Sequence, residues 1–285
     1  MGERTVVITG GNSGIGLETA VALAAAGDRV VIACRNAERS AVAAEVIRAR
    51  SSGFVETVGL DLTSFSSIRA CAAELATRTP EIDVLINNAG LILSTRQVTE
   101  DGFETTFGTN HLGHFLLTAE LEAQIKAATA PRVVNVASIA HAFAIGGLNF
   151  DNLQMERRYN MWVAYGRSKL ANIYFTQELA RRWAADGVVV QAVHPGSVNS
   201  HFGSDGDTRG VMGWALNHLG PLVMVTPEQG ARTSVFLATA PEGAQGSGTY
   251  WTKQRKGRLM PWAKRPRDAA RLWDVSERYV ADGHP

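Results

Sequence analysis

The chain has 285 residues, of which 45% are hydrophobic and 19% are charged, and its formal net charge is +1 at pH 7. This composition is typical of a globular protein with a large core, and a net charge so close to zero does not favour nucleic acid or an anionic membrane as a partner. We find no basic region followed by a long apolar run, so the sequence predicts neither a signal peptide nor a membrane-inserted segment. The two cysteines, Cys34 and Cys71, make no disulfide framework, and we expect a reduced, cytoplasmic protein.

Short apolar strands alternate with helices along the chain. The strands are predicted at residues 4–9, 29–34, 54–60, 83–87, 132–137, 188–193 and 248–252. The helices are predicted at residues 14–26, 37–49, 64–79, 105–128, 162–184, 226–240 and 268–280. This alternation predicts a single α/β domain over residues 1–285, with a doubly wound parallel sheet.

The first strand leads into a glycine-rich turn, residues 9–16, with the sequence TGGNSGIG. Glycines let the backbone turn sharply and approach a pyrophosphate, and the following helix offers its free N–H groups and positive dipole end to that anion. An ordinary turn is the alternative, but the position between a strand and an alanine-rich helix favours a dinucleotide site. The predicted contacts in the turn are Gly10, Asn12, Ser13, Gly14, Ile15 and Gly16.

The end of the second strand indicates which dinucleotide binds. In NAD-binding units an acidic residue near this position takes the ribose 2′-hydroxyl, whereas this chain has Cys34, Arg35 and Asn36 there. A guanidinium suits a 2′-phosphate, so Arg35 favours NADP(H). The alternative is a solvated arginine at the start of the next helix.

Three further strand ends are expected to contact the cofactor. Asp61 and Leu62 follow the third strand, where Asp61 could contact the adenine or belong to the cap of the next helix. Small residues after the fourth strand allow a ligand to approach the backbone closely, and the candidates there are Asn88, Ala89 and Gly90. A loop after the sixth strand lies on the carboxyl edge of the sheet, where ligands bind in open α/β folds, and its candidates are Pro195, Gly196, Val198 and Ser200.

A tyrosine and a lysine, Tyr165 and Lys169, lie four positions apart, which places them on one face of a helix. Tyrosine ordinarily has a pKa near 10, and an ammonium about 4 Å away contributes roughly 4 kcal/mol at an effective dielectric of 20, enough to bring the pKa near 7. Tyr165 is therefore predicted to act as general acid in reduction and as general base in oxidation. Ser138, at the end of the fifth strand, is predicted to hydrogen-bond the same substrate oxygen.

The predicted helix 105–128 carries three notable polar residues. Asn110 lies in its middle, where asparagine is not favoured, so we expect either a specific polar role or an exposed position. His111 and His114 lie three positions apart, but no third ligand is nearby. Packing or interface histidines are therefore expected rather than a metal site.

The substrate is expected to contact bulky apolar residues beside Tyr165, although each of them could instead belong to the core. The candidates are residues 91–93, His141, Phe143, Phe150, Trp162, Phe202 and Trp214. Residues 201–225 are compatible with a mobile lid over an apolar substrate and equally with a surface helix. This apolar surrounding predicts a bulky hydrophobic ketone, aldehyde or alcohol.

Together these motifs resemble those of the short-chain dehydrogenase/reductases over nearly the whole chain. The matching motifs are residues 9–16, 87–90 (NNAG), Asn110, Ser138, 165–169 (YGRSK) and 195–200 (PGSVNS). Within the family the chain looks most similar to the retinol dehydrogenase, WW-domain oxidoreductase and protochlorophyllide reductase branch, which bacterial ketoreductases of aromatic polyketides also resemble. The resemblance implies a Rossmann-type sheet of seven parallel strands in the order 3-2-1-4-5-6-7. It also implies that Lys169 holds the nicotinamide ribose and that Asn110 positions a water linking Lys169 to solvent.

The spacing of Ser138 and Tyr165 is unusual, since they lie 27 positions apart, further than in simpler members of the family. By resemblance to carbonyl reductases, this implies an insertion at the mouth of the active site within residues 143–161. In some relatives the inserted segment covers the helix face used for tetramer formation. We therefore expect a monomer or a homodimer.

The sequence leaves three functions to compare. The first is an NADPH-dependent carbonyl reductase or alcohol dehydrogenase, acting on an aromatic polyketide or, alternatively, on retinol or a lipid aldehyde. The second is a non-catalytic NADP(H)-sensing protein, which is disfavoured because the catalytic set is complete. The third is light-driven reduction, which is disfavoured because neither cysteine is expected near the predicted pocket.

Overall fold

The computed structural model describes residues 4–196 and 225–285. Its strands are β1 (Thr5–Thr9), β2 (Arg29–Cys34), β3 (Val55–Gly59), β4 (Val84–Asn87), β5 (Arg132–Val136), β6 (Val189–His194), β7 (Thr249–Thr252) and β8 (Arg255–Lys256). They form one sheet in the order β3-β2-β1-β4-β5-β6-β7-β8. Strands β1 to β7 are parallel, so the predicted order of seven strands is confirmed.

Strand β8 is the departure from the predicted all-parallel sheet. It pairs antiparallel with β7, with Trp251 opposite Lys256. The two residues between these strands, Lys253 and Gln254, have φ values of 50° and 58°, as a tight two-residue hairpin turn requires. The sequence lacks the asparagine–glycine pair that typically marks such a turn, which is why this short edge strand was not predicted.

The helices are α1 (Gly14–Ala25), α2 (Ala37–Ser51), α3 (Phe65–Arg78), α4 (Thr105–Phe107), α5 (Gly113–Glu120), α6 (Glu122–Ala127), α7 (Met161–Arg182), α8 (Pro227–Thr239) and α9 (Pro266–Asp282). The predicted helix 105–128 is not one regular helix. Residues Gly108–Leu112 form a wider π-helical turn between α4 and α5, and a second break at Leu121 separates α5 from α6. Within the ranges described, no helix is both long and apolar enough to cross a membrane.

The core lies on both faces of the sheet. Alternate residues of β1 show this division, because Val6 and Ile8 join one buried cluster while Val7 joins the other. Helices α1, α2 and α8 cover the first face, and α3, α5, α7 and α9 cover the second. The carboxyl ends of the parallel strands therefore meet along one edge, where the glycine-rich turn and α7 also lie.

Two segments bear on the mouth of the predicted site. Residues 143–161 contact the loop after β4, where the Tyr159 hydroxyl donates to the Leu93 carbonyl at 2.9 Å and the Glu104 N–H donates to Gln154 Oε1 at 2.8 Å. The other segment, the predicted lid at 201–225, lies outside the described residues except for its last position.

Candidate active site

The glycine-rich turn has the geometry of a phosphate-binding turn. Gly10 and Gly14 have φ values of 66° and 53°, which glycine adopts readily. A Cβ on Gly16 would lie 2.3 Å from the Gly10 carbonyl oxygen, so only glycine lets α1 start so close to the turn. The N-cap residue Ser13 makes no side-chain hydrogen bond to the helix, and the first turn of α1 has no acidic residue. Free N–H groups without a competing carboxylate fit the pyrophosphate of a dinucleotide.

Thr9 joins this turn to the end of β4. Its hydroxyl accepts hydrogen bonds from the backbone N–H groups of Asn88 and Ala89, at 2.9 Å and 3.0 Å. The Asn88 side chain donates in return to the Thr9 carbonyl at 2.9 Å. A Cβ on Gly10 would lie 3.0 Å from Ala89 Cβ, so the two strand ends are in close contact.

The residues predicted to bind the adenosine end follow β2 and β3. Arg35 is exposed directly after β2, free to reach an anionic ligand. Asn36 caps α2, because its Oδ1 accepts from the Arg39 N–H at 2.8 Å. Asp61 Oδ1 accepts from both the N–H and the hydroxyl of Thr63, the residue before the α3 N-cap Ser64, and the contact of Asp61 with the adenine stays a prediction.

Cys34 and Leu62 lie behind these strand ends. Leu62 is buried, and a Cβ on Gly113 would lie 2.7 Å from the Leu62 carbonyl oxygen. The Cys34 thiol is hydrogen-bonded to the backbone of residues 10–12, and its burial raises its pKa, which keeps it protonated. Cys34 therefore lies beside the turn that would hold the cofactor, as its place at the end of β2 predicts.

Ser138, Tyr165 and Lys169 come together at the carboxyl end of β5. The Ser138 hydroxyl is hydrogen-bonded to Tyr165. Lys169 Nζ lies 5.6 Å from the centroid of the Tyr165 ring, and it donates to the Val136 carbonyl at 2.9 Å. The end of β5 thus positions both residues: Ser138 follows the strand in the chain, and Lys169 is hydrogen-bonded to the Val136 carbonyl of the strand.

Gly166 explains how α7 can approach that strand end. A Cβ at this position would lie 2.7 Å from the Ala140 carbonyl oxygen and 3.0 Å from Phe143 Cβ. The absence of a side chain lets α7 pack directly on the short helical turn Ile139–Phe143 that follows Ser138. Gly166 was not predicted as a site residue, although it lies between the tyrosine and the lysine in the sequence.

Burial dominates the electrostatics of the catalytic pair. It raises the pKa of Tyr165 to about 12, although the hydrogen bond with Ser138 lowers that pKa. Burial also lowers the pKa of Lys169 to about 8. Among the chain's own groups, desolvation of the phenolate therefore raises the pKa of Tyr165, and the predicted lowering of that pKa in the complex with cofactor stays a prediction. Tyr165 holds its proton at pH 7, as a proton donor requires.

Asn110 lies in the π-helical turn and is fully buried, so the exposed alternative is excluded. Its Oδ1 accepts from the Leu91 N–H at 2.8 Å, and its Nδ2 donates to the Leu91 carbonyl and to Ser168 Oγ, at 2.9 Å and 3.0 Å. A Cβ on Gly90 would lie 3.2 Å from Asn110 Oδ1 and 3.4 Å from Lys169 Nζ. The side chain thus fixes the loop after β4 beside the catalytic lysine.

The two histidines of this region have different partners. His111 Nε2 lies 2.9 Å from Ser276 Oγ in α9, and its ring packs 5.1 Å from the ring of Phe107. His114 Nε2 instead lies 2.9 Å from Thr9 Oγ1 in β1. Among the residues with described positions, no group of three or more histidines, cysteines or acidic residues could hold a metal.

A buried polar network behind the site was missed by sequence analysis. Asn87 donates to Asn135 Oδ1 at 2.8 Å, and Asn135 donates to Thr176 Oγ1 at 3.0 Å. The Thr176 hydroxyl donates to the Asn172 carbonyl at 2.8 Å. Asn172 Nδ2 donates to the Val136 carbonyl at 3.1 Å, the same carbonyl that accepts from the lysine. The available signal was a single asparagine that follows apolar residues in each of the two strands.

The loop after β6 is described only at its start. Pro195 and Gly196 follow the strand, and Gly196 has a φ of 100°. A Cβ on Gly196 would lie 2.9 Å from Val225 Cγ2. The predicted cofactor contacts and substrate contacts that lie outside the described residues are Val198, Ser200, Phe202 and Trp214.

The predicted substrate-contacting residues divide into two groups. Phe143 is half exposed, with its ring 6.0 Å from that of Trp162, and residues 91–93 are partly exposed. His141 is 1% exposed and hydrogen-bonded to the backbone, and Phe150 packs against the hydrophobic core. His141 and Phe150 therefore belong to the core, which was the alternative to a contact with the substrate.

A Rossmann-type sheet with a phosphate-binding turn and a serine–tyrosine–lysine centre defines an oxidoreductase that uses a nicotinamide cofactor. The family model for short chain dehydrogenases matches residues 4–208. Human retinol dehydrogenase 13 is 41% identical over 282 residues, which cover 97% of this chain and 84% of that protein. The chain therefore belongs to the short-chain dehydrogenase family, in its retinol dehydrogenase-like branch.

Solved structures agree with this assignment. An uncharacterized protein from Mycobacterium paratuberculosis is 35% identical, with a TM-score of 0.77 and coverage of 98% of this chain and 93% of that chain. An active-site complex of Pseudomonas aeruginosa RhlG with NADP is 26% identical, with a TM-score of 0.69 and coverage of 88% and 94%.

Proposed function

We propose that the protein is an NADPH-dependent oxidoreductase that transfers a hydride between the nicotinamide and a bulky hydrophobic ketone or aldehyde, or the corresponding alcohol. The observation that carries this proposal is the convergence of Ser138, Tyr165 and Lys169 at the end of β5. The phosphate-binding turn lies at the same edge of the sheet.

The residues of this centre handle the proton of the reaction, while a bound nicotinamide supplies or accepts the hydride. In reduction Tyr165, whose pKa of about 12 keeps it protonated, donates to the substrate oxygen as negative charge develops there. The Ser138 hydroxyl stabilises the same oxygen with a second hydrogen bond. Lys169 carries a positive charge below its pKa of about 8 and stabilises the tyrosinate that remains.

The preference for NADPH is supported by two observations. Arg35 is exposed directly after β2, where a guanidinium can bind the 2′-phosphate. The RhlG relative was solved with NADP. Asn36 is the N-cap of α2 and Asp61 is hydrogen-bonded to Thr63, which leaves the exposed Arg35 as the cationic candidate from the predicted set at this end of the site.

The substrate class is supported by the relative's name and by the exposed apolar residues. The human relative is named for retinol, a long apolar alcohol. Phe143 and Ile145 are 50% and 80% exposed in the segment after Ser138, and they offer an apolar surface to such a molecule. We therefore place a long apolar aldehyde or its alcohol first among the candidate substrates.

We infer a monomer or a homodimer, in which the face of α5 and α7 is not available for assembly. Helix α9 lies along α7, and Trp273 packs 4.9 Å from Phe115 and 6.0 Å from Phe175, measured between ring centroids. This contact covers the face of α5 and α7 within the chain itself. The expected cytoplasmic location stays a prediction.

Turnover of a carbonyl panel tests the proposal. The purified protein is assayed with NADPH against retinal, straight-chain aldehydes and aromatic polyketide ketones, with the Tyr165→Phe variant as control. We expect turnover of the apolar aldehydes that collapses in the variant. Nicotinamide binding without turnover of any compound would favour the non-catalytic alternative, and turnover of polyketide ketones alone would refute the ranking of long apolar aldehydes as first among the substrates.

A further inference from the structure

His114 is a fully enclosed histidine that the proposed proton transfer does not use. It is 2% exposed and lies one helical turn after Asn110, at the start of α5. Its two ring nitrogens reach two different parts of the site. We propose, on the basis of the function proposed above, that His114 is a positioning residue that couples the cofactor-binding strand ends to the π-helical turn of Asn110.

The contacts of Thr9 determine the role of one ring nitrogen. The Thr9 hydroxyl accepts from the N–H groups of Asn88 and Ala89, at 2.9 Å and 3.0 Å. A hydroxyl has two lone pairs and one hydrogen, so both acceptor positions of Thr9 are occupied. Its hydrogen must therefore be donated to His114 Nε2, 2.9 Å away, and Nε2 carries no proton.

The protonation of the other ring nitrogen, Nδ1, then follows from the tautomer. With Nε2 as acceptor, a neutral ring carries its proton on Nδ1. Nδ1 lies 3.1 Å from the Asn110 carbonyl oxygen and donates to it. Burial lowers the pKa of His114 to about 4, so the neutral form holds through the physiological range.

The resulting chain of hydrogen bonds links two functions. It runs from the backbone after β4 through Thr9 and His114 to the Asn110 carbonyl. The Asn110 side chain completes the connection, because it binds the backbone of Leu91, next to Gly90, and a Cβ on Gly90 would lie 3.4 Å from Lys169 Nζ. This chain thereby ties the strand ends that would hold the cofactor to the turn that places Asn110 next to the catalytic lysine.

Two substitutions separate the halves of this link. In His114→Asn the amide nitrogen replaces Nδ1 and still reaches the Asn110 carbonyl, but the contact with Thr9 is lost. In His114→Gln the longer amide replaces Nε2 and reaches Thr9, but the Asn110 carbonyl loses its partner. We expect His114→Asn to raise the Kd for NADPH about tenfold with little change in kcat, the effect of one lost hydrogen bond. We expect His114→Gln to lower kcat about tenfold at saturating NADPH with little change in that Kd.

His111→Asn is the matched control, because His111 is another buried histidine of the same region, bonded to α9 instead of β1. We expect it to lower Tm while kcat and the NADPH Kd per folded molecule stay within about twofold of the wild type. If the His114 variants behaved like this control, with Tm lowered and no split between Kd and kcat, the coupling role would be refuted.

The tautomer gives a readout that needs no turnover. In the full chain with ¹⁵N-labelled histidine, NMR at pH 7 should show the His114 ring protonated on Nδ1, with the Nε2 signal shifted in the Thr9→Ser variant less than in Thr9→Val. A ring protonated on Nε2 would overturn the proposal. Absence of turnover in the wild type would refute the proposed function alone, because the tautomer would still decide the role of His114.

Discussion

Replacing Gly166 with alanine tests how the catalytic tyrosine is brought to the serine. In the Gly166→Ala variant the new Cβ would lie 2.7 Å from the Ala140 carbonyl oxygen, 3.0 Å from Phe143 Cβ and 3.2 Å from the Ala144 nitrogen. Two of these neighbours are backbone atoms, which cannot rotate out of the way. Relief of the closest contact therefore requires α7 and the turn after Ser138 to separate by about 0.7 Å.

The effect of Gly166→Ala on the free energy of unfolding is a small difference between a gain in helix propensity and a cost of overpacking. Alanine gains about 1 kcal/mol over glycine in a helix interior, whereas overpacking costs about 1–3 kcal/mol. We expect a net loss of at most about 2 kcal/mol, so the variant folds. The catalytic effect is larger, because Tyr165 is the neighbouring residue and a displacement of this size at the reacting groups costs about 10- to 100-fold in kcat.

The assay is steady-state reduction of an apolar aldehyde with NADPH, together with thermal unfolding. Gly59→Ala is the control, because a Cβ on Gly59 meets no atom within 4 Å. We expect the control to keep wild-type kcat and Tm within error. Wild-type kcat in Gly166→Ala would mean that the close approach of α7 does not position the tyrosine, and the reasoning would be refuted.

The remaining predictions concern the tyrosine that donates the proton and the two cationic residues of the site. Tyr165→Phe should lower kcat/KM for reduction by about 10²- to 10⁴-fold while the Kd for NADPH changes less than about threefold; a smaller loss would exclude the tyrosine as proton donor. Lys169 has a lowered pKa of about 8 and loses its charge as pH rises, so kcat/KM should fall above about pH 8. In Lys169→Arg, whose guanidinium stays charged, that decline should disappear, and an unchanged pH profile would contradict the assignment. Arg35→Ala should raise KM for NADPH about 10- to 100-fold and leave KM for NADH unchanged. An equal effect on both KM values would refute the assignment of Arg35 to the 2′-phosphate. Arg39→Ala, in the first turn of α2, serves as its control.

The fold was predictable because its signals are local. Strands such as β1 and β2 are continuous apolar, β-branched runs, and the glycine-rich turn between β1 and α1 marks the first crossover. The strand order followed from the family resemblance. Strand β8 was missed because its turn, Lys253 and Gln254, has the backbone of a hairpin without its usual residues.

The site was predictable only for residues within recognisable motifs. Ser138, Tyr165 and Lys169 fall in such motifs, and the structure brings them together. The π-helical turn at Asn110 was not predictable, because a helical apolar pattern does not distinguish an α-helical turn from a wider one. The burial that raises the pKa of Tyr165 in the chain alone was not predictable, because the sequence supplies the charge of its neighbour but not the depth of the site.

The missed polar network shows why pairing between strands matters for this chemistry. Asn87 and Asn135 lie opposite each other in the register of β4 and β5, a neighbour relation that depends on the strand order. Burying such amides is costly unless they are hydrogen-bonded, and Asn87 Oδ1 has no partner within the described residues. An apolar pair would fill the same space without that cost. The network ends on the Val136 carbonyl that binds Lys169, so the polar residues orient the acceptor that holds the catalytic amine beside Tyr165.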